Sequence, residues 1–170
     1  MTRRLSAAIV FGCVASLAVA CSAPADGPSE GKYTVRFPST AAAVATDTVQ
    51  LYFYAVPTKL ADRNNFCQSL LQARKRGDNS IRPIGQNPPV NLCEMFKGVK
   101  PVVVGYGEKA VLGIGRRGAD DFLVGCVIQT YGAGDAPLDL DLALVDVGLP
   151  VPTTDCTSVS QACEARCTRQ

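Results

Sequence analysis

Polar and apolar residues alternate along much of this 170-residue chain. Alternation at period two is the mark of half-buried strands. Residues 32–37 set Tyr33, Val35 and Phe37 on one face and Lys32, Thr34 and Arg36 on the other. Residues 48–56 (TVQLYFYAV) are rich in β-branched and aromatic side chains, and Pro57 stops the run. Residues 102–104, 110–116, 122–131 and 138–147 read as four more strands, with glycines at the turns. In the third of these, Phe122, Val124, Cys126 and Ile128 are expected on one face. In the fourth, Leu138, Leu140, Leu142 and Leu144 point inward, with Asp139 and Asp141 outward.

Only residues 63–77 carry a clear helical pattern. Asn64 or Asn65 is placed to cap it, Phe66, Leu70 and Ala73 share a face, and Cys67 and Leu71 lie beside them. Arg74, Lys75 and Arg76 suit the negative C-terminal end, and Gly77 terminates it. That basic cluster reads as a solvated helix end, with contact to anionic lipid headgroups as the alternative. Residues 38–46 are alanine-rich and fit a helical turn or a loop. Pro83, Pro88 and Pro89 make residues 78–90 a loop, and 91–97 fits a short helix or strand. About six short strands and one helix predict a mainly-β fold. The expected architecture is an antiparallel β-sandwich of prealbumin or immunoglobulin-like kind, with one short helix and a disulfide-linked C-terminal tail.

The start of the chain follows a different pattern. Arg3 and Arg4 precede an uncharged run from Leu5 to Ala20. A positive start, a short apolar middle and small residues at the end describe a secretory signal. The run is shorter than the roughly 20 residues of a comfortable membrane span. Leu17-Ala18-Val19-Ala20-Cys21 resembles the lipobox of bacterial lipoproteins, although Leu17 lies four residues before the cysteine, where the usual spacing is three. The resemblance implies cleavage before Cys21 and diacylation of its thiol. Ser22 in the following position implies sorting to the outer membrane of the cell envelope, with the domain facing the periplasm or the surface. Cleavage by ordinary signal peptidase at the same site, giving a free secreted protein, is the alternative. The expected division is a signal peptide at 1–20, an anchor and tether at 21–31 (SAPADGPSEG after the cysteine), a β-domain at 32–149 and a Cys-rich tail at 150–170.

This division explains the cysteines. Of eight, Cys13 leaves with the leader and Cys21 takes the lipid. Cys67, Cys93, Cys126, Cys156, Cys163 and Cys167 remain, an even set suited to three disulfides in an oxidising compartment. The favoured pairing joins Cys67 to Cys93, a loop worth about 3 kcal/mol, with one bridge inside the tail and one from the tail to Cys126.

Charge changes the picture little. Without Arg3 and Arg4 the chain is near neutral, so no nucleic-acid partner is expected. Residues 59–117 hold 11 basic and 4 acidic side chains, whereas 118–156 hold 7 aspartates and no basic residue. Mutual neutralisation of packed segments is the plain explanation, and an acidic face for cations the functional one. There is no histidine, the usual general base and metal ligand, and no tryptophan.

Three patterns carry possible chemistry. Gly113, Gly115 and Gly118 spell GxGxxG, but a further β-prone stretch follows where a dinucleotide site needs a helix, so a hairpin is expected. Asp139 and Asp141 project from one side of a strand and, with Asp120, Asp121 or Asp135, form a candidate Ca²⁺ site, an outer polar face being the plain reading. The spacing Cys156-x6-Cys163-x3-Cys167 lacks the CxxC pairs and histidines of zinc sites, so disulfides are preferred. No cofactor and no catalytic residue are expected.

The strand-turn-strand patterning around 110–147, with the Gly125-Cys126 pair and the leucine-alternating last strand, resembles prealbumin-like β-sandwich modules of bacterial surface lipoproteins. With the missing histidine and the lipobox-like start, the expectation is a non-enzymatic envelope protein, held to the membrane by its N-terminal lipid. It would act as a structural, adhesive or protein-binding module, with an envelope protein as partner. A Ca²⁺- or small-ligand-binding lipoprotein is the alternative.

Overall fold

The structure is a computed structural model that describes residues 28–31, 33–97, 102–132 and 138–168. The expected signal peptide, Cys21 and most of the tether lie outside the described residues. The ten strands are β1 (Pro28–Gly31), β2 (Tyr33–Arg36), β3 (Thr48–Ala55), β4 (Gly85–Gln86), β5 (Val90–Asn91), β6 (Val102–Gly105), β7 (Gly107–Arg117), β8 (Asp120–Tyr131), β9 (Leu138–Asp141) and β10 (Ala143–Leu144). Five helices intervene: α1 (Thr40–Ala45), α2 (Leu60–Asn64), α3 (Phe66–Lys75), α4 (Leu92–Phe96) and α5 (Val159–Cys163).

The fold is mainly β, and the main sheet is antiparallel, in the order β10-β8-β7-β3-β4, with β5 also on the outer edge of β3. Along β3, Val49, Leu51 and Phe53 face one way and Gln50, Tyr52 and Tyr54 the other. The first set meets Val111 of β7, and the second meets Ala110, Leu112 and Ile114. Both faces of the sheet are therefore covered. A parallel pair, β2 with β9, and helix α1 cover the first face, and α3 covers the second. β9 and β10 are nearly continuous, yet β9 pairs with β2 and β10 pairs with β8, so the chain changes sheet at Leu142. The inward leucines Leu138, Leu140 and Leu142 are buried there, while Asp139 and Asp141 are exposed.

This layer comes close enough to demand glycine. A Cβ on Gly125 would lie 2.1 Å from the Asp141 carbonyl oxygen, and one on Gly113 would lie 2.3 Å from Leu140. Gly113 and Gly125 are register partners, so they form one smooth spot on the sheet. The GxGxxG glycines thus serve packing and turning. Gly118 has φ +61° and opens the two-residue hairpin between β7 and β8, where the Arg117↔Asp120 pairing closes the ladder.

Several sequence expectations need correction. The helix expected over 63–77 is two helices, α2 and α3, broken at Asn65, which lies at φ −104° and ψ 2°. Asn65 caps neither with its side chain, which donates to the Ala61 carbonyl instead. The far end follows expectation. The N–H of Gly77, at φ +67°, donates to Arg74 O, and that of Asp78 to Ala73 O, a Schellman ending. Among the described residues there are five helices, of which α3 alone exceeds six residues; α1 and α4 fall where a helical turn and a short helix are open readings of the sequence, and α2 and α5 are too short to carry an apolar stripe. Residues 28–31, assigned to the tether by composition, pair with 102–105 as a strand, since backbone pairing requires no side-chain pattern. The 78–90 loop contains β4. Beyond it Pro88 and Pro89 have no N–H to donate, and Asn87 bridges the gap, its Oδ1 accepting from Leu51 N at 2.6 Å.

Phe122 also departs from its expected face. The β7–β8 register slips between Gly115 and Arg116, which oppose Leu123 and Asp121, so Phe122 is the extra residue of a β-bulge. Phe122 and Leu123 both enter the core under β9, while Val124, Cys126 and Ile128 face α3 as alternation requires.

The six cysteines form three disulfides, Cys67–Cys126, Cys93–Cys163 and Cys156–Cys167. The bridge inside the tail matches expectation, but Cys67 does not pair with Cys93, nor does the tail reach Cys126. Packing decides the partners. Cys67 lies on α3, which covers the face of β8 carrying Cys126. Cys93 lies on α4, whose neighbour Leu92 packs with Ala43 and with Val159 of the tail helix. The tail thus has an apolar foothold besides its bridges.

Candidate functional site

The bulge at Phe122 matters for chemistry because it turns Asp121 toward the α3 face. There its carboxylate accepts from Nε and Nη2 of Arg74 and from Nε of Arg116. Arg116 also donates to Gln50 Oε1 at 2.7 Å and to Tyr52 Oη at 2.9 Å. Tyr52 Oη donates to Gln50 Oε1 at 2.8 Å, and Gln50 Nε2 donates to Asn87 O at 2.9 Å. A single hydrogen-bonded network therefore joins α3, three strands and the 78–90 loop. Burial alone would raise the Asp121 pKa, but the bonds from Arg74 and the charges of Arg74 and Arg116 outweigh it and hold the carboxyl below its ordinary value. Arg74 is correspondingly raised, first by its bond to Asp121. These two salt bridges join the basic segment to the acidic one, in line with neutralisation between packed segments.

Above this network lies a cleft of about 300 Å³. Tyr52, Tyr54 and Leu112 form its floor, Leu70 and Ala73 of α3 one wall, and the 78–83 segment the opposite rim. The Arg74 guanidinium lies 5.8 Å from the centre of the Tyr52 ring, within cation–π range. Tyr54 packs edge-on against Phe66, and burial, its largest influence, raises its phenol pKa. The Cys67–Cys126 bridge ties the same helix to the same sheet face.

Asp135 lies outside the described residues, and the other four candidate calcium ligands are not gathered. Asp139 and Asp141 do project together from β9, but both accept from Arg36 of the paired strand β2. Asp121 is taken by two arginines on the other side of the main sheet, and Asp120 is exposed at the hairpin. The in-register pairing Arg36↔Asp141 brings the forked guanidinium to both acids, a contact between residues more than 100 positions apart that local spacing does not reveal. Among the described residues the one group with metal-like geometry is Asp155, Cys156 and Cys167, and two of these are joined as a disulfide. Lys75 and Arg76, from the basic cluster, are exposed at the end of α3, whereas Arg74 turns inward.

Sequence reasoning missed Gln50, Tyr52, Arg116 and Arg82 as members of this region. An amide-bearing residue and a tyrosine on the otherwise apolar run 48–56 were the available signal. One further polar group stands apart. The Tyr131 hydroxyl, in the core beneath β9, has no hydrogen-bond partner among the described residues, and burial pushes its pKa to about 12. No described helix is long and apolar enough to cross a membrane. Compared with protein-family models, with curated proteins and with solved structures, the chain matches none.

Proposed function

We propose that this is a lipid-anchored cell-envelope protein whose disulfide-stapled domain acts as a non-enzymatic structural, adhesive or protein-binding module. The observation that carries this reading is the complete pairing of Cys67, Cys93, Cys126, Cys156, Cys163 and Cys167. Three bridges suit an oxidising compartment, and their closure leaves Cys21, in its lipobox-like setting, for acylation. Two acyl chains on one residue hold a protein stably to a bilayer. The non-enzymatic part is supported by the missing histidine and by the arginine partners of Asp121, Asp139 and Asp141. The β2–β9 pair over the main sheet is consistent with a reduced β-sandwich, its second layer only two strands wide.

The deciding measurement is the intact mass of the full chain purified from a bacterial membrane fraction, before and after reduction. Loss of residues 1–20, added acyl mass, and six thiols released only on reduction are expected. Cys21→Ala should move the protein to the soluble fraction. An unlipidated wild-type protein in the soluble fraction would overturn the anchor. Small-ligand binding is the second reading, favoured by the cleft beside α3. Its calcium form is supported only by Asp120, Asp121, Asp139 and Asp141, three of which already hold arginine.

A further inference from the structure

We infer that the cleft between α3 and the main sheet binds a small molecule combining a single apolar or aromatic ring with a carboxylate, which Arg82 receives. This rests on the second reading above, small-ligand binding at the cleft, and it specifies the ligand class.

The cleft's size and lining set the class. About 300 Å³ is at the small end of ligand cavities, enough for one ring and a short arm. Its floor and near wall offer two tyrosine rings and the apolar Leu70, Ala73 and Leu112, against which a ring removes apolar surface from water. Ile81 and Pro83 continue this apolar lining on the far rim.

The polar groups around the cleft are mostly committed. Arg74 is bound to Asp121, and Arg116 to Asp121, Gln50 and Tyr52. The Asp78 carboxylate accepts from Ser80 N at 2.8 Å, a turn that shapes the rim, and that bond holds its pKa below the ordinary value. Among the charged groups lining the cleft, Arg82 is the exception; the Asn79 side chain and the Tyr54 hydroxyl are neutral groups that likewise have no hydrogen-bond partner among the described residues. Arg82 lines the cleft, is exposed, and engages no hydrogen-bond or ion-pair partner among the described residues. With Arg74 and Arg116 committed to Asp121, and the charge of Arg76 acting on Asp78, Arg82 leaves a positive charge on the rim for a ligand to meet. A planar guanidinium matches a carboxylate through two parallel N–H bonds. Asp78 on the same rim disfavours a second negative charge, so a monoanion fits better than a phosphate ester.

The test uses the full-length protein in detergent micelles and calorimetric titration with phenylbutyrate and its neutral isostere phenylbutyramide, with micelle-only titrations subtracted. The acid should bind about ten-fold more tightly than the amide, the size of one charged hydrogen-bonded contact. Arg82→Gln should abolish that preference while leaving the melting temperature unchanged. Equal affinity for acid and amide, or a preference that survives in Arg82→Gln, overturns the anionic class. Absence of binding by both at millimolar concentration overturns the cleft as a small-molecule site. The anchored-module reading stands or falls separately, on the mass measurement, which does not involve the cleft.

Discussion

The two faces of the main sheet are held by different means. Under β9 the contact is dry and close. Leu51, Val111 and Leu123 of the sheet meet Leu138, Leu140 and Leu142, and Gly113 and Gly125 let the backbone of the covering strand approach. Under α3 the apolar contact of Leu70 with Leu112 and Ile114 gives way to a network of Gln50, Tyr52, Arg74, Arg116 and Asp121, with an open cleft beside it. The first face specifies its partner by shape and tolerates no added atom. The second specifies its partner by bonds and a disulfide, so it can leave a space open without losing the helix.

The largest effect should come from releasing that covalent tie. Replacing Cys67 and Cys126 together by serine opens a loop spanning a sequence separation of 59 residues. The expected loss is about 4 kcal/mol in denaturant titration under oxidising conditions. A loss below about 1 kcal/mol would mean that packing and the polar network alone hold α3, and the contrast between the faces would fail.

Gly125→Ala tests the dry face. Its Cβ meets backbone at Asp141, which cannot swing aside, and the expected cost is about 3 kcal/mol. Gly113→Ala meets the end of the Leu140 side chain, which can rotate, so its cost should be smaller, about 1 to 2 kcal/mol. Equal or negligible costs, measured by the same titration, would show that the covering strand is not seated as closely as the geometry states.

Asp121→Asn tests the polar face and should cost about 2 kcal/mol near neutral pH, since two partly buried arginines lose their anionic partner. Its pH dependence is diagnostic. The folded carboxyl titrates below its unfolded value of about 3.9. Its contribution is therefore complete above the unfolded value and disappears as pH falls through the folded one. The stability gap between wild type and Asp121→Asn should narrow on acidification from about pH 6 to about pH 3. A constant gap would assign the effect to packing.

Much of the strand pattern was legible because alternation is a local property. The leucine face of 138–142, the outward placement of Asp139 and Asp141, and the hairpin at Gly118 were all readable from neighbours in sequence. Phe122 was not, because a bulge is an irregularity of pairing between two strands and leaves no trace in the strand that bears it. The bulge in turn hid Asp121 from any reading of the α3 face. The short helices were obscured for a related reason. The single buried positions of α4 and α5, Leu92 and Val159, are too few to make a periodic stripe.

The chain's own pattern determined that strands would dominate, where they would turn, which side of most of them would be buried, and that the six cysteines from Cys67 onward form an even set. These follow from side-chain period and composition, which every short window carries. Only the tertiary structure decided which cysteines meet, which layer covers each sheet face, and that Arg36, Arg74 and Arg116 occupy the acids that looked available for a cation. Apart from Arg116 with Asp121 across the hairpin and Cys156 with Cys167 inside the tail, those outcomes depend on contacts between residues tens to more than a hundred positions apart, where register and packing choose the partner and no local preference does.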